Sequence, residues 1–285
     1  PPGVVNVVTG RGPVVGAALA GHPDVDKISF TGSTSTGQEI VRASAGNMKR
    51  LTLELGGKSP NVLFDDADLE LAIAGAASAI FVNAGQVCSA GSRLYVQQSI
   101  HDEVIDGISR IAAGIRVGNG LDPAVEMGPL VSSGQRDRVV GYLELGQSEG
   151  ATMVTGGELA SDPNLDGGYF VRPTVFTDVN GGMRISREEI FGPVVVATPF
   201  DDIDHVIALS NATPFGLASG VWTRDIGRAQ AMARALQAGT VWINSWQAMD
   251  PAVPFGGWKL SGYGRESGTE QLDAYLNTKT IWVRS

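Results

Sequence analysis

Phe81-Val82-Asn83-Ala84-Gly85-Gln86-Val87-Cys88-Ser89-Ala90-Gly91 is the stretch on which the reading of this chain turns. Apolar residues at helical spacing (Leu69, Ile73, Ala76, Ala77, Ile80) lead toward it. Gly85, Gly91 and Ser92 then break the period before a strand-like run, Leu94-Tyr95-Val96. Cys88 is the only cysteine in 285 residues, so it forms no internal disulfide and no multi-thiolate metal site. A thiol in a glycine-punctuated turn after a buried helix can face a cleft whose backbone N–H groups favour thiolate and any oxyanion formed there. The competing reading is that a lone cysteine is a small core residue.

A second stretch, Leu53-Glu54-Leu55-Gly56-Gly57-Lys58-Ser59-Pro60-Asn61, places a carboxylate 34 positions before Cys88. Glu54 ends an apolar run (Leu51, Leu53, Leu55) and meets two glycines, which turn the chain and leave the carboxylate beside open space. In apolar surroundings a glutamate has a raised pKa, which suits a general base near neutral pH. A strand-end salt bridge is the alternative.

Composition narrows the class. A 43% hydrophobic fraction is that of a globular protein, and no apolar run approaches the ~20 residues of a membrane span. The 38 glycines are well above the usual ~7% and show no collagen-like period, as expected for many short turns. A net charge of −9 without a Lys/Arg cluster argues against a nucleic-acid surface. Asp65-Asp66-Ala67-Asp68 lacks the later glycine and glutamate of a calcium loop and reads as helix-capping acids, so no metal site is expected.

In chain order, residues 4–8 (Val-Val-Asn-Val-Val) read as a buried parallel strand. The following Gly10, Gly12 and Gly16 miss the dinucleotide spacing by one residue and read first as a tight turn. Lys27-Ile28-Ser29-Phe30-Thr31 is a strand, and Gly32-Ser33-Thr34 opens a helix whose N-terminus is either simply capped or a seat for pyrophosphate. Residues 100–115 and 135–145 are amphipathic helices, and 156–168 is a surface loop. Glu188-Glu189-Ile190-Phe191 is either a solvated edge or a carboxylate placed for a ribose beside an aromatic for a ring. Helix over 201–210, strand over 218–223, helix over 226–236 and strand over 240–244 give the alternation of a parallel α/β sheet. The tail over 279–283 alternates like an edge strand.

Six stretches together resemble the aldehyde dehydrogenase superfamily, in the family's order and across essentially the whole chain. They are 53–60 around Glu54, 85–91 around Cys88, Phe30-Thr31-Gly32-Ser33-Thr34, 188–194, Pro254-Phe255-Gly256-Gly257, and Ser261-Gly262-Tyr263-Gly264-Arg265-Glu266. The resemblance implies an α/β fold with part of a doubly wound cofactor domain over 1–55 and a parallel-sheet catalytic domain over 56–258. A return segment over 259–275 and an oligomerisation edge strand over 276–285 complete it. It implies NAD or NADP at Gly32, Ser33, Glu189 and Phe191, with Gly12, Gly16 and Leu55 as further contacts. Phe255 and Trp246 would wall the aldehyde tunnel, and Glu266 would serve proton exit. It also implies a homodimer or homotetramer at full length, a small aldehyde substrate, and no membrane or nucleic-acid partner.

Under that resemblance Cys88 adds to an aldehyde, hydride leaves to the nicotinamide, and Glu54 activates water to hydrolyse the thioester. Against the family the chain reads as a C-terminal portion, with one oxyanion-donor asparagine, the adenosine-ribose lysine and the strand end that sorts NAD from NADP lying upstream. Cytoplasm is the default location. Three other readings are a CoA-acylating dehydrogenase, a cysteine hydrolase and a silent truncated chain or assembly partner. Glu54 as a base for water speaks against the first. A cysteine hydrolase would need His22, His101 or His205 beside the thiol.

Overall fold

A computed structural model describes residues 1–158, 165 and 167–285; most of the loop read over 156–168 lies outside them. A wide helical turn, Gly12–Gly16, runs into α1 (Ala17–Gly21). β1 (Lys27–Thr31), α2 (Thr34–Ser44) and β2 (Arg50–Glu54) follow, then β3 (Pro60–Leu63), α3 (Leu69–Phe81), β4 (Arg93–Gln97) and α4 (His101–Gly114). α5 (Ser133–Ser148), β5 (Thr152–Thr155), β6 (Thr174–Thr177), α6 (Arg184–Arg187) and β7 (Val194–Phe200) come next. α7 (Ile203–Asn211), β8 (Phe215–Gly216), β9 (Ala218–Trp222), α8 (Ile226–Ala235) and β10 (Thr240–Ile243) precede the short closing elements β11 (Trp258–Lys259), β12 (Gly262–Tyr263) and α9 (Glu270–Asp273).

Seven strands form one sheet in the order β10-β9-β3-β4-β7-β6-β5, parallel except for β5. Parallel strands are covered on both faces and so read as continuous apolar runs, as in Val194-Val195-Val196-Ala197, all buried. α3 and α4 cover one face, with Ile80, Leu94, Val104 and Ile108 in one cluster. Val62, Tyr95, Val221 and Met232 fill the other face beneath α7 and α8. Side-chain caps start the helices: Asp68 for α3, Ser132 for α5, Asp202 for α7 and Asp225 for α8. Asp66 accepts from Thr223 Oγ1 at 2.8 Å and Arg228 Nη1 at 3.0 Å, so the acidic stretch serves helix starts and packing.

The second sheet has three strands, β1-β2-β12, with β12 antiparallel to β2 and Gly262 opposite Glu54. Two expected strands are absent. Residues 4–8 are irregular, with Val5 and Val7 each 83% exposed, and the tail over 279–283 is equally irregular with Trp282 92% exposed. Valine content and alternation report side-chain preference, but a strand forms only where a second backbone supplies the ladder. Among the described residues neither run has one: residues 4–8 are exposed irregular chain rather than a buried strand, and the edge strand over 279–283, expected to pair with a neighbouring subunit, has no partner strand within this single chain. No described helix is long and apolar enough to cross a membrane.

Candidate active site

The thiol is placed by an unusual turn. After α3, residues Asn83, Ala84 and Gly85 all take left-handed backbone angles (φ 53°, 53° and 69°). Asparagine tolerates this region, alanine is strained in it, and Gly85 is required, because a Cβ there would run into the Gly192 backbone. Asn83 and Gln86 bond each other's main chain, and the Gly91 N–H donates to Ala79 O at 2.9 Å. The loop is therefore closed on itself at its start and tied to α3 at its end, with Cys88 half-buried between. Burial pushes the Cys88 thiol up, the N–H groups of Ser89 and Cys88 pull it down, and the Glu54 and Glu189 carboxylates push it up again. The net direction is upward: the backbone N–H groups favour thiolate as expected, but desolvation outweighs them.

Glu54 ends β2 and is 6% exposed, and neither carboxylate oxygen has a hydrogen-bond partner among the described residues. The salt-bridge alternative therefore does not apply. Burial, then the nearby Glu266 charge, against the opposing pull of Arg265, raises its pKa to about 7. Glu266 itself accepts from Ser29 Oγ at 2.5 Å and Gln271 Nε2 at 2.6 Å, and its backbone exchanges two bonds with Phe255. Glu54 does not line the cleft; its charge reaches the Cys88 thiol through space.

The cleft has a volume of about 1260 Å³, and Gly32, Ser33, Gly56, Cys88, Glu189 and Phe191 line it. Ser33 caps α2 through the Thr36 N–H, leaving the helix N-terminus on the wall. Glu189 accepts from the Gly57 N–H at 3.0 Å, and a Cβ on Gly56 would collide with its carboxylate, so the glycine pair is what admits Glu189 beside Cys88. Burial pushes the Glu189 carboxyl up despite that bond. Phe191 holds a left-handed backbone (φ 59°).

Sequence reasoning missed the support for this segment. On α5, Gln135 donates to Phe191 O at 2.7 Å and Arg138 to Glu189 O at 2.5 Å, while Tyr142 donates to Glu188 at 2.7 Å. All three line the cleft. Their polar stripe at helical spacing was the available signal, but it looks like any solvated helix face.

Other candidates lie elsewhere. Gly12 and Gly16 are exposed and do not line the cleft. The Leu55 side chain is buried with Leu53 and Ile40, which leaves only its backbone for a cofactor. Phe255 lines a different recess of about 340 Å³ with Met249, Asp250 and Val253. Trp246 stacks near Trp242, 5.1 Å between ring centroids, and packs against Gly91 and Gly220. No histidine lines the cleft, and among the described residues no cluster of three His, Cys, Asp or Glu side chains is placed to hold a metal ion.

The aldehyde dehydrogenase family matches over residues 1–281. The chain belongs to that family. A betaine aldehyde dehydrogenase of Mesorhizobium japonicum is 49% identical over 100% of this chain and 58% of its own length. The human mitochondrial aldehyde dehydrogenase is 48% identical over 100% of this chain and 54% of its own. Among solved structures, an aldehyde dehydrogenase from Bacillus cereus in complex with NAD+ superposes with a TM-score of 0.93 at 51% identity, over 96% of this chain and 55% of that one. The α/β architecture is thus that of aldehyde dehydrogenases, and the chain spans about half the length of the curated relatives it matches.

Proposed function

We propose that this chain carries the thiol-and-base half of an NAD- or NADP-dependent oxidation of an aldehyde to its carboxylic acid. The observation that carries the reading is the meeting of Cys88, Gly56 and Glu189 on one cleft wall, with the unpartnered Glu54 near enough for its charge to act on the thiol. Relatives named as aldehyde dehydrogenases, one of them solved with NAD+, support the same reading. The cleft fits a dinucleotide: a buried carboxylate at Glu189 suits ribose hydroxyls, the α2 N-terminus with Ser33 suits phosphate, and Phe191 offers a ring face.

When bound, the nicotinamide supplies the hydride acceptor. The Cys88 sulfur, as thiolate, adds its electron pair to the aldehyde carbon and forms a thiohemiacetal. Its own N–H is a donor for the oxyanion. Departure of hydride with its two electrons leaves a thioester on Cys88. Glu54, with a pKa of about 7, takes a proton from water, the hydroxide adds to the thioester, and the C–S bond breaks to free the acid and the thiolate. Glu266, whose charge acts on Glu54, would take that proton outward.

The test mixes the purified chain with NAD or NADP and a panel of aldehydes, following absorbance of the reduced nicotinamide. Cys88→Ala is expected to lower turnover by about 10³-fold or more, and Glu54→Gln by roughly 10²-fold. Wild-type turnover rises as pH passes about 7 and Glu54 ionises. A Cys88→Ala variant as active as wild type would overturn the assignment. A second reading, that this chain alone is silent, is favoured by Gly12 and Gly16 standing away from the cleft. Folded protein whose Cys88 reacts with a thiol reagent but supports no turnover would select it.

A further inference from the structure

Beneath the turn that carries Gly56 and Gly57, on the α7–α8 side of the large sheet, lies a cluster the proposed chemistry does not use. Lys58 is 1% exposed, and its Nζ has no hydrogen-bond partner among the described residues. Ser210 at the end of α7 and Ser219 on β9 are buried with unpartnered hydroxyls as well. All three residues line one small cavity of about 10 Å³, together with Phe215 and Ala238. That volume admits one small body and excludes polyatomic anions such as phosphate.

The charges acting on Lys58 are of both signs, but only neutral groups bond the buried cations. Arg93, also buried, donates to Lys58 O at 2.8 Å, Tyr95 Oη at 3.0 Å, Leu209 O at 3.1 Å and Ser210 O at 2.8 Å, all neutral oxygens. Neither Lys58 nor Arg93 forms an ion pair among the described residues; Glu189 and Glu188 act on Lys58 only through space. Burial first, then the Arg93 charge, pushes the Lys58 ammonium down to about 7. Two buried cations without a bonded counter-charge are an expensive arrangement unless an anion joins them. A lysine with three donors and two freely rotating hydroxyls can all turn toward one spherical acceptor.

We propose that this cavity binds a single halide-class anion, held by Lys58 Nζ and the hydroxyls of Ser210 and Ser219. The anion neutralises the lysine and anchors the far end of the turn whose near end admits Glu189. This inference stands apart from the oxidation chemistry, because it needs neither Cys88 nor a cofactor. The competing occupant is a water molecule beside a neutral lysine.

Wild-type crystals grown in sodium bromide and measured at the bromine absorption edge decide between them. The expected result is an anomalous peak within hydrogen-bond reach of Lys58 Nζ; density there without anomalous signal overturns the proposal. In solution, melting in sodium bromide should exceed melting in sodium gluconate at equal ionic strength by roughly 2 °C or more, as linkage to a folded-state ligand requires. Lys58→Met should erase that difference. If that variant fails to fold, Ser219→Ala should reduce it, and wild-type melting that is equal in the two salts overturns the proposal.

Discussion

The two larger sheets of this chain hold their strands by different means, and the candidate site draws on both. The seven-stranded sheet is covered on both faces, and strands such as β3 and β6 are buried at every position. In the three-stranded sheet β1 is only half-buried, and β2 becomes fully buried only toward Glu54, where β12 lies against it. Cys88 rides on a loop of the large sheet, between α3 and β4, and Glu54 ends a strand of the small one. The site is therefore a seam: one wall rests on a dense core and the other on a late segment folding back. Rigidity should be unequal across it, with large-sheet substitutions costing more than small-sheet ones.

The largest expected difference tests that inequality directly. Phe176 is fully buried on β6, and Phe176→Ala should cost about 3–5 kcal/mol in urea unfolding. Phe30, half-buried on β1, should cost about 1–2 kcal/mol when cut to alanine, because less of its surface leaves water on folding. Equal costs would break the comparison.

Next in size is the turn that joins the large sheet to the chemistry. Gly85→Ala forces a side chain into a left-handed residue and against the Gly192 backbone, and should cost about 2 kcal/mol. If the left-handed turn positions the thiol, labelling of Cys88 by a thiol reagent should change as well. Unchanged stability would mean that the turn has another conformation of similar energy.

How much of this was legible in the sequence follows the same division. Cys88 and Glu54 stand out because each sits beside glycines that local chain geometry explains, and Glu189 through the aldehyde dehydrogenase resemblance. The parallel strand over 194–197 was legible from its unbroken apolar run. Gln135, Arg138 and Tyr142 were not, since a polar helical stripe has the same pattern whether it faces water or a loop 50 residues away. Lys58 lies inside the Glu54 motif, but nothing local says that its long side chain runs inward. Residues 4–8 failed in the opposite sense: their composition is that of a strand, but strand pairing is non-local and the described chain gives them no neighbour.

A smaller effect probes the electrostatics across the seam. The Glu54 carboxylate is among the charges that hold the Cys88 thiol up, and it carries charge only above a pH of about 7. Below that, wild type and Glu54→Gln are both neutral there and should alkylate alike. At pH 8 wild-type Glu54 is ionised and opposes thiolate, so Glu54→Gln should react faster by roughly threefold, the scale of a screened charge interaction of less than about 1 kcal/mol. A slower variant at pH 8 would mean that Glu54 assists thiol ionisation as a base rather than opposing it as a charge.

The smallest effect is the sharpest for the small sheet. Val7 is 83% exposed, so Val7→Ser removes little buried surface, and its effect on stability should stay within about 0.5 kcal/mol. The same exchange in a buried strand would cost several times more, by removing packed methyl groups and burying a hydroxyl. Urea unfolding of the variant thus reports whether residues 4–8 add to the small sheet in solution. A loss above about 1 kcal/mol would show that they do, and the sheet would then be wider and the seam stiffer than its three strands imply.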